Sequence, residues 1–187
     1  MIVVEKPYLA GVQEIGRIFH MKPTYASVCL ADGRFDPQPD PLIVSGSRYW
    51  LLGDVRVMRT PTKTADPIAI GELEAGQRPG RMAVTGDELP VIVGLAELGE
   101  VFDTKATSVQ SMLLAGGWRE PDWRLSGSPL WLLEPLVAPG VDPRGDGMPR
   151  ARRSWEPDHE VVASLRAGTY TGPGSTVRAR GRAAGGK

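Results

Sequence analysis

Apolar residues occur at helical spacing in two short segments near the beginning of the chain. Positions 12, 15, 18 and 19 are apolar, and so are positions 26, 29 and 30, which is the spacing of one face of an α-helix. Residues 20–22 interrupt this pattern. Pro23 suits the first turn of the second helix, and Gly33 is placed to end it. The pattern therefore predicts two helices joined by a tight turn.

A pair of strands is predicted next. Residues 42–44 are apolar, Ser45, Gly46 and Ser47 form a turn signal, and residues 48–51 form a second run that contains Trp50. Apolar runs on either side of a glycine turn are typical of a β-hairpin.

The same order of elements returns later in the chain. Residues 12–35 align without gaps with residues 95–118, with seven identities in 24 positions, and the stretch VSGSRYWLL (44–52) corresponds to LSGSPLWLL (125–133). An internal repeat of this kind predicts two copies of one structural unit. The identical pairs are Glu14 and Glu97, Gly16 and Gly99, Phe19 and Phe102, Lys22 and Lys105, Thr24 and Thr107, Leu30 and Leu113, and Gly33 and Gly116.

These residues resemble the MerR-like and excisionase-like families of DNA-binding proteins. The resemblance covers residues 9–58 well and residues 92–137 less closely. It implies that each copy is a winged helix-turn-helix domain, within an α+β fold that is mostly α with short hairpins. Members of these families usually carry one such domain, so two in tandem depart from the pattern. The matching residues are Val12, Glu14, Ile15, Phe19, Gly33, Phe35, Pro37, Pro39, Gly46, Trp50, Asp54 and Val55.

The predicted domain organisation has four parts. Copy one spans residues 1–58, and copy two, which has diverged, spans residues 92–138. Residues 59–91 are predicted as a partly ordered linker, in which residues 68–70 and 82–84 can pair as short strands. Residues 139–187 are predicted as a loop, one short amphipathic helix over 157–168, and a basic tail of low complexity.

The resemblance assigns DNA contacts to the second helix and to the hairpin, or wing, of each copy. Such a helix places residues near its N-terminus against base edges in the major groove, while the wing and nearby basic groups hold phosphates. Pro23 and Val28 stand where these families commonly have Arg, the residue that most often reads guanine. The candidate residues are Lys22, Thr24, Tyr25, Ser27, Arg34, Arg48 and Tyr49 in copy one, and Lys105, Thr107, Ser108 and Gln110 in copy two.

Charge is distributed unevenly over a chain whose formal net charge is zero. Residues 91–138 contain three basic and six acidic side chains, and Pro129 and Leu130 replace the Arg48 and Tyr49 of copy one. Phosphate is repelled by an acidic surface. Copy two therefore either retains a DNA contact or serves for dimerisation or packing.

The C-terminal part has the opposite balance. Residues 139–187 contain nine basic and five acidic side chains. Arg178, Arg180 and Arg182, spaced among Gly and Ala, suit a flexible arm that binds phosphates without reading sequence. The alternative is a solvated end without a ligand.

Other classes of function are not indicated. With two His and one Cys, the chain has neither the number nor the spacing of ligands that a metal site needs. Cys29 has no second cysteine with which to form an internal disulfide. The chain shows no nucleotide-binding motif, catalytic set, cofactor site or small-molecule site, so we do not expect an enzyme. It also lacks a secretion signal and an apolar run of about 18 residues. We expect a cytoplasmic protein, in the host cytoplasm if a phage encodes it.

These features together predict a sequence-specific protein that binds double-stranded DNA. Its expected role is that of a transcription regulator or an excisionase-like recombination directionality factor, of phage or mobile-element origin. The alternative is a structural or adaptor protein of a phage particle or DNA-packaging complex, in which the helix-turn-helix folds contact proteins. Self-association through copy two is compatible with both.

Overall fold

The computed structural model describes residues 5–144 and 155–178, which form an α+β arrangement of short helices and small antiparallel sheets. We refer to residues 7–77 as half one and to residues 91–144 and 155–168 as half two. Within the described residues the helices are α1 (Val12–Ile18), α2 (Pro23–Ala31), α3 (Leu52–Val55), α4 (Pro67–Gln77), α5 (Leu95–Val101), α6 (Ala106–Leu114), α7 (Glu134–Val137) and α8 (His159–Arg166). The strands are β1 (Leu9–Gly11), β2 (Leu42–Val44), β3 (Ser47–Leu51), β4 (Arg59–Thr60), β5 (Lys63–Thr64), β6 (Ile92–Val93), β7 (Trp123–Leu125) and β8 (Ser128–Leu132).

Each half contains the predicted pair of helices. In half one the chain reverses at His20, which has a φ of +51°, and the Met21 N–H donates a 2.7 Å hydrogen bond to the Gly16 carbonyl. A Cβ atom on Gly16 would lie 3.0 Å from that oxygen, so glycine permits the close approach. Half two repeats the reversal at Asp103, with an equivalent 2.7 Å bond to the Gly99 carbonyl. The helix pair predicted from spacing is confirmed in both copies.

The hairpins turn through two residues with positive φ. Ser45 and Gly46 have φ values of +49° and +74°, and Ser126 and Gly127 have values of +49° and +79°. Two successive residues of this kind form a type I′ turn, whose twist matches that of paired strands. In each half the second hairpin strand is central: β3 pairs with β1 and β2, and β8 pairs with β6 and β7. The predicted hairpins are confirmed.

A further helix packs on the first helix of each half, α4 on α1 and α8 on α5. Both follow an aspartate that caps the helix, and the N–H groups of Asp66 and Asp158 donate hydrogen bonds of 2.9 and 2.7 Å to the Ile18 and Val101 carbonyls. The helix predicted over residues 157–168 is confirmed. The strand pairing predicted between residues 68–70 and 82–84 is wrong, because residues 68–70 lie within α4.

Three apolar clusters form the core. One lies in half one around an edge-to-face pair, Phe19 and Phe35, whose ring centroids are 4.8 Å apart. Another lies in half two, where Phe102 and Trp118 form the equivalent pair at 5.6 Å. The third joins the halves, because the outer faces of the two sheets pack on each other. Its members are Leu9, Val44, Tyr49, Leu51, Ala83, Trp123, Leu125, Leu130 and Leu132.

Two of the candidate tail residues, Arg180 and Arg182, lie outside the described residues. No helix in residues 5–144 or 155–178 has the length and apolar character needed to cross a membrane.

Candidate nucleic-acid interface

The α2 helix has one face in the core and the other in solvent. Positions 26, 29 and 30 are buried in half one. On the opposite face Tyr25 is 50% exposed and Val28 is 46% exposed. This leaves the N-terminal end of the helix free to approach a ligand. Of the other candidate residues on it, Lys22 and Thr24 are exposed and Ser27 is half-buried.

Arg34 lies just after α2 and already has an acidic partner. Its Nη2 atom is 2.8 Å from Asp32 Oδ2. The hydrogen bond to Asp32 raises the pKa of Arg34, with a smaller contribution from Tyr25. Arg34 therefore stays charged, but it has to leave Asp32 to hold a phosphate.

Tyr49 is not accessible to DNA, which corrects the prediction from sequence. Its side chain is 1% exposed and lies in the cluster between the halves. Burial raises the pKa of Tyr49, although hydrogen bonds to Ser128 and Ser47 act in the opposite direction. In an isolated hairpin this ring would face solvent, but here the sheet of half two covers it.

Both hairpin tips contact the opposite half. Ser126 donates its N–H and its hydroxyl to the Glu14 carboxylate, at 3.0 and 2.7 Å. Ser45 makes the same two contacts with Glu97, at 2.6 and 2.5 Å. Each serine hydroxyl also accepts a main-chain N–H from the first turn of α1 or α5, at 3.1 and 2.9 Å. The sequence interpretation treated these serines as turn residues only, although the repeat retains both serines and both glutamates.

The segment after α8 lies across the hairpin tip of half one. Gly46 donates its N–H to the Gly174 carbonyl at 3.0 Å, and Arg178 donates its N–H to the Gly46 carbonyl at 2.9 Å. The Arg178 side chain covers Gly46, since a Cβ atom there would fall 2.5 Å from Arg178 Cγ. Residues 169–178, which we call the C-terminal segment, thus carry Arg178 to half one. The equivalent Gly127 in half two is exposed.

A recess of about 540 Å³ lies between α2, the hairpin of half one and the C-terminal segment. Ser27 and Ala31 line it from α2, and Arg48 and Arg178 line it from the other side. Neither arginine has an acidic partner among the described residues. We call this surface the α2 recess. The α2 recess brings together α2, the hairpin of half one and the C-terminal segment, which the sequence predicts separately to contact DNA.

The α6 helix is the counterpart of α2, but fewer basic side chains lie beside it. Pro129 occupies the place of Arg48, and the C-terminal segment does not reach the tip of this hairpin. At the end of the helix Leu114 is 80% exposed. This surface is therefore less suited to phosphate than the α2 recess. Its candidate residues Lys105, Thr107 and Gln110 are exposed, and Ser108 is half-buried.

No family model matches the chain, and no curated protein or solved structure shows significant similarity to it.

Proposed function

We propose that this protein binds double-stranded DNA with sequence specificity, through two winged helix-turn-helix units packed into one body. The convergence of α2, Arg48 and Arg178 at the α2 recess is the observation that supports this most directly. Helix-turn-helix proteins use a helix that offers polar side chains to base edges, flanked by cations that hold phosphates. The proposed role is that of a transcription regulator or an excisionase-like recombination directionality factor of a phage or mobile element.

In this proposal α2 enters the major groove by its N-terminal end. Thr24 and Tyr25 offer hydroxyl groups to base edges, and Lys22 holds a phosphate beside them. Arg48 and Arg178 hold phosphates on the side of the hairpin. Hydroxyl contacts discriminate between bases less strictly than a bidentate Arg does. Much of the affinity therefore comes from phosphates and decreases as salt is raised.

The hairpin tips take no part in DNA binding in this proposal. Ser45 and Ser126 are occupied by Glu97 and Glu14, so neither tip is free to enter a minor groove. Half two carries fewer basic side chains than half one among the described residues, and it acts mainly as the support that fixes the hairpin of half one. The affinity is thus concentrated on one half of the molecule.

Selection of duplexes from a random pool by mobility shift tests the proposal. We expect an enriched motif, and we expect Lys22→Ala with Arg48→Ala to weaken binding by about tenfold or more at physiological salt. The matched control is Lys105→Ala with Arg124→Ala, which removes the same charge from half two. If both pairs of substitutions reduce DNA affinity equally, the attraction is non-specific. The proposal is contradicted if no motif is enriched from the pool and the affinity depends only weakly on salt.

A second candidate is a structural or adaptor protein, for example of a phage particle or DNA-packaging complex. The exposure of Leu114 at the end of α6 favours it, because an apolar side chain on an acidic half suits a protein contact better than a phosphate. Light scattering without DNA distinguishes the two candidates. This function requires a defined oligomer that Leu114→Lys dissociates, and DNA affinity that the Lys22 and Arg48 substitutions leave unchanged.

A further inference from the structure

Two grooves related by the internal repeat lie where the halves meet. The open groove has a volume of about 510 Å³ and lies between α1, α4 and β7, with Glu14, Leu73, Gly76 and Trp123 in its wall. We call its counterpart the filled groove. The corresponding wall residues there are Glu97, Leu165, Gly168 and Leu42.

The filled groove contains part of the C-terminal segment. Tyr170 and Ser175 form part of its lining, and about 300 Å³ of free space remains. The Tyr170 hydroxyl donates a hydrogen bond of 3.0 Å to the Pro173 carbonyl, which folds the segment over the ring. One groove of the pair is thus occupied by the protein's own chain.

Glycine is required where this segment meets the hairpin tip. A Cβ atom on Gly174 would lie 2.6 Å from Glu97 Oε1 and 2.9 Å from Ser45 Cα, and the φ of Gly174 is +90°. Main-chain hydrogen bonds link this region to both sides of Gly46. The occupant of the filled groove thus combines an aromatic residue, Tyr170, with a glycine four residues later that approaches the tip.

The open groove offers the same partners, and in the described part of the chain no segment fills it as the C-terminal segment fills the other groove. Glu14 and Ser126 make the contact that Glu97 and Ser45 make on the other side. Gly127 is exposed, and no described residue forms a hydrogen bond with its main chain. After α4 the chain leaves in another direction, because the main chain of Arg81 forms hydrogen bonds with Lys6 and Tyr8, just before β1.

Among the described residues there are two grooves of this kind and one C-terminal segment. An exchange of that segment between copies therefore leaves one of the two grooves in each chain without a C-terminal segment. We propose that the open groove binds an extended segment of a partner protein, with an aromatic residue and a glycine spaced like Tyr170 and Gly174. This inference does not depend on DNA binding.

A fluorescent peptide with the sequence of residues 167–178 is the probe, and anisotropy with the full chain is the readout. We expect saturable binding of one peptide per chain, because the covalently attached segment holds the filled groove at a high effective concentration. Gly76→Trp should weaken binding by about tenfold or more by steric exclusion. No atom lies within 4 Å of a Cβ at Gly76 or at Gly71, so Gly71→Trp, on another face of α4, is the matched control.

A peptide in which the glycine equivalent to Gly174 is replaced by Val should bind weakly, because its side chain would collide with Glu14 and Ser126. The proposal is overturned if the original peptide shows no saturable binding. It is also overturned if Gly76→Trp leaves the affinity unchanged, since the peptide then occupies the filled groove or another surface. Both tryptophan variants replace exposed helical glycines, and matching unfolding curves verify that they fold alike.

Discussion

The hydroxyl of Ser126 donates a 2.7 Å hydrogen bond to Glu14 Oε2 and accepts the N–H of the second residue of α1. Ser126 thus caps a helix of the other half, whose own N-cap residue, Gly11, has no side chain to do so. A Cβ atom on Gly11 would lie 2.3 Å from the Ser126 hydroxyl, so the glycine makes room for the serine. Ser45 repeats the relationship on α5. Such reciprocal contacts are those of a two-fold interface, here within one chain.

We expect Ser126→Ala to lower the free energy of unfolding by about 1–3 kcal/mol, because the helix loses its cap and a buried carboxylate loses a donor. Ser45→Ala should cost a similar amount. Urea denaturation measures both. Ser111→Ala, which removes an exposed hydroxyl, is the control and should change stability by less than about 0.5 kcal/mol. A Ser126→Ala variant as stable as this control would mean that the contact contributes nothing to holding the halves together.

The salt dependence of DNA affinity should separate the α2 recess from the rest of the surface. If DNA binds as proposed, Arg48→Ala and Arg178→Ala should each reduce the slope of log K against log salt by about one, because each removes a phosphate contact. Arg124→Ala removes the same charge from half two and should leave the slope unchanged. The measurement is a series of binding isotherms at increasing salt. If all three variants gave the same slope of log K against log salt, Arg48 and Arg178 would not be the residues that hold the phosphates.

The local elements could be predicted from sequence, because they depend on neighbouring residues. Helical spacing predicted α1 and α2, and Ser-Gly between apolar runs predicted the hairpins. The α4 helix was missed because Ile68 and Ile70 alternate with small residues, as in a strand. Asp66 followed by Pro67 was the available signal, since an aspartate cap and a proline in the first turn favour a helix start.

The contacts between the halves could not be predicted, because the pattern of a strand does not reveal what covers its second face. Tyr49 was assigned to DNA because it lies on the hairpin, which the resemblance gives contacts with the DNA backbone, but the sheet of half two covers it. The repeat retains a serine at each tip and a glutamate at each helix start, but this identity alone does not show which half supplies each partner. Likewise, sequence composition indicated a basic arm without placing Arg178 beside Gly46.

The C-terminal segment should be released by Gly174→Val. A Cβ atom at this position would lie 2.9 Å from Ser45 Cα, and the positive φ is unfavourable for a branched residue. Hydrogen exchange should then show faster exchange at the amides of Gly46 and Arg178, which the docked segment protects. Thr176→Val introduces the same side chain at an exposed position of the segment and should leave this protection intact. Unchanged protection in Gly174→Val would mean that the segment tolerates a side chain at the tip.

The pKa of the Tyr170 phenol should show whether the C-terminal segment is docked. Burial, together with the negative charges of Glu100 and Glu97, raises the pKa of Tyr170 from 10.0 to about 12. Because the docked state holds the phenol proton more tightly, docking should be fully stable below pH 10 and weaken as the pH rises towards 12. A phenolate absorbance titration of the wild type minus Tyr170→Phe should therefore show one tyrosine ionising near pH 12. When Gly174→Val is also present, the pKa of Tyr170 obtained from this difference should move towards 10.0. A pKa that remains near 12 would show that docking of the segment does not raise it.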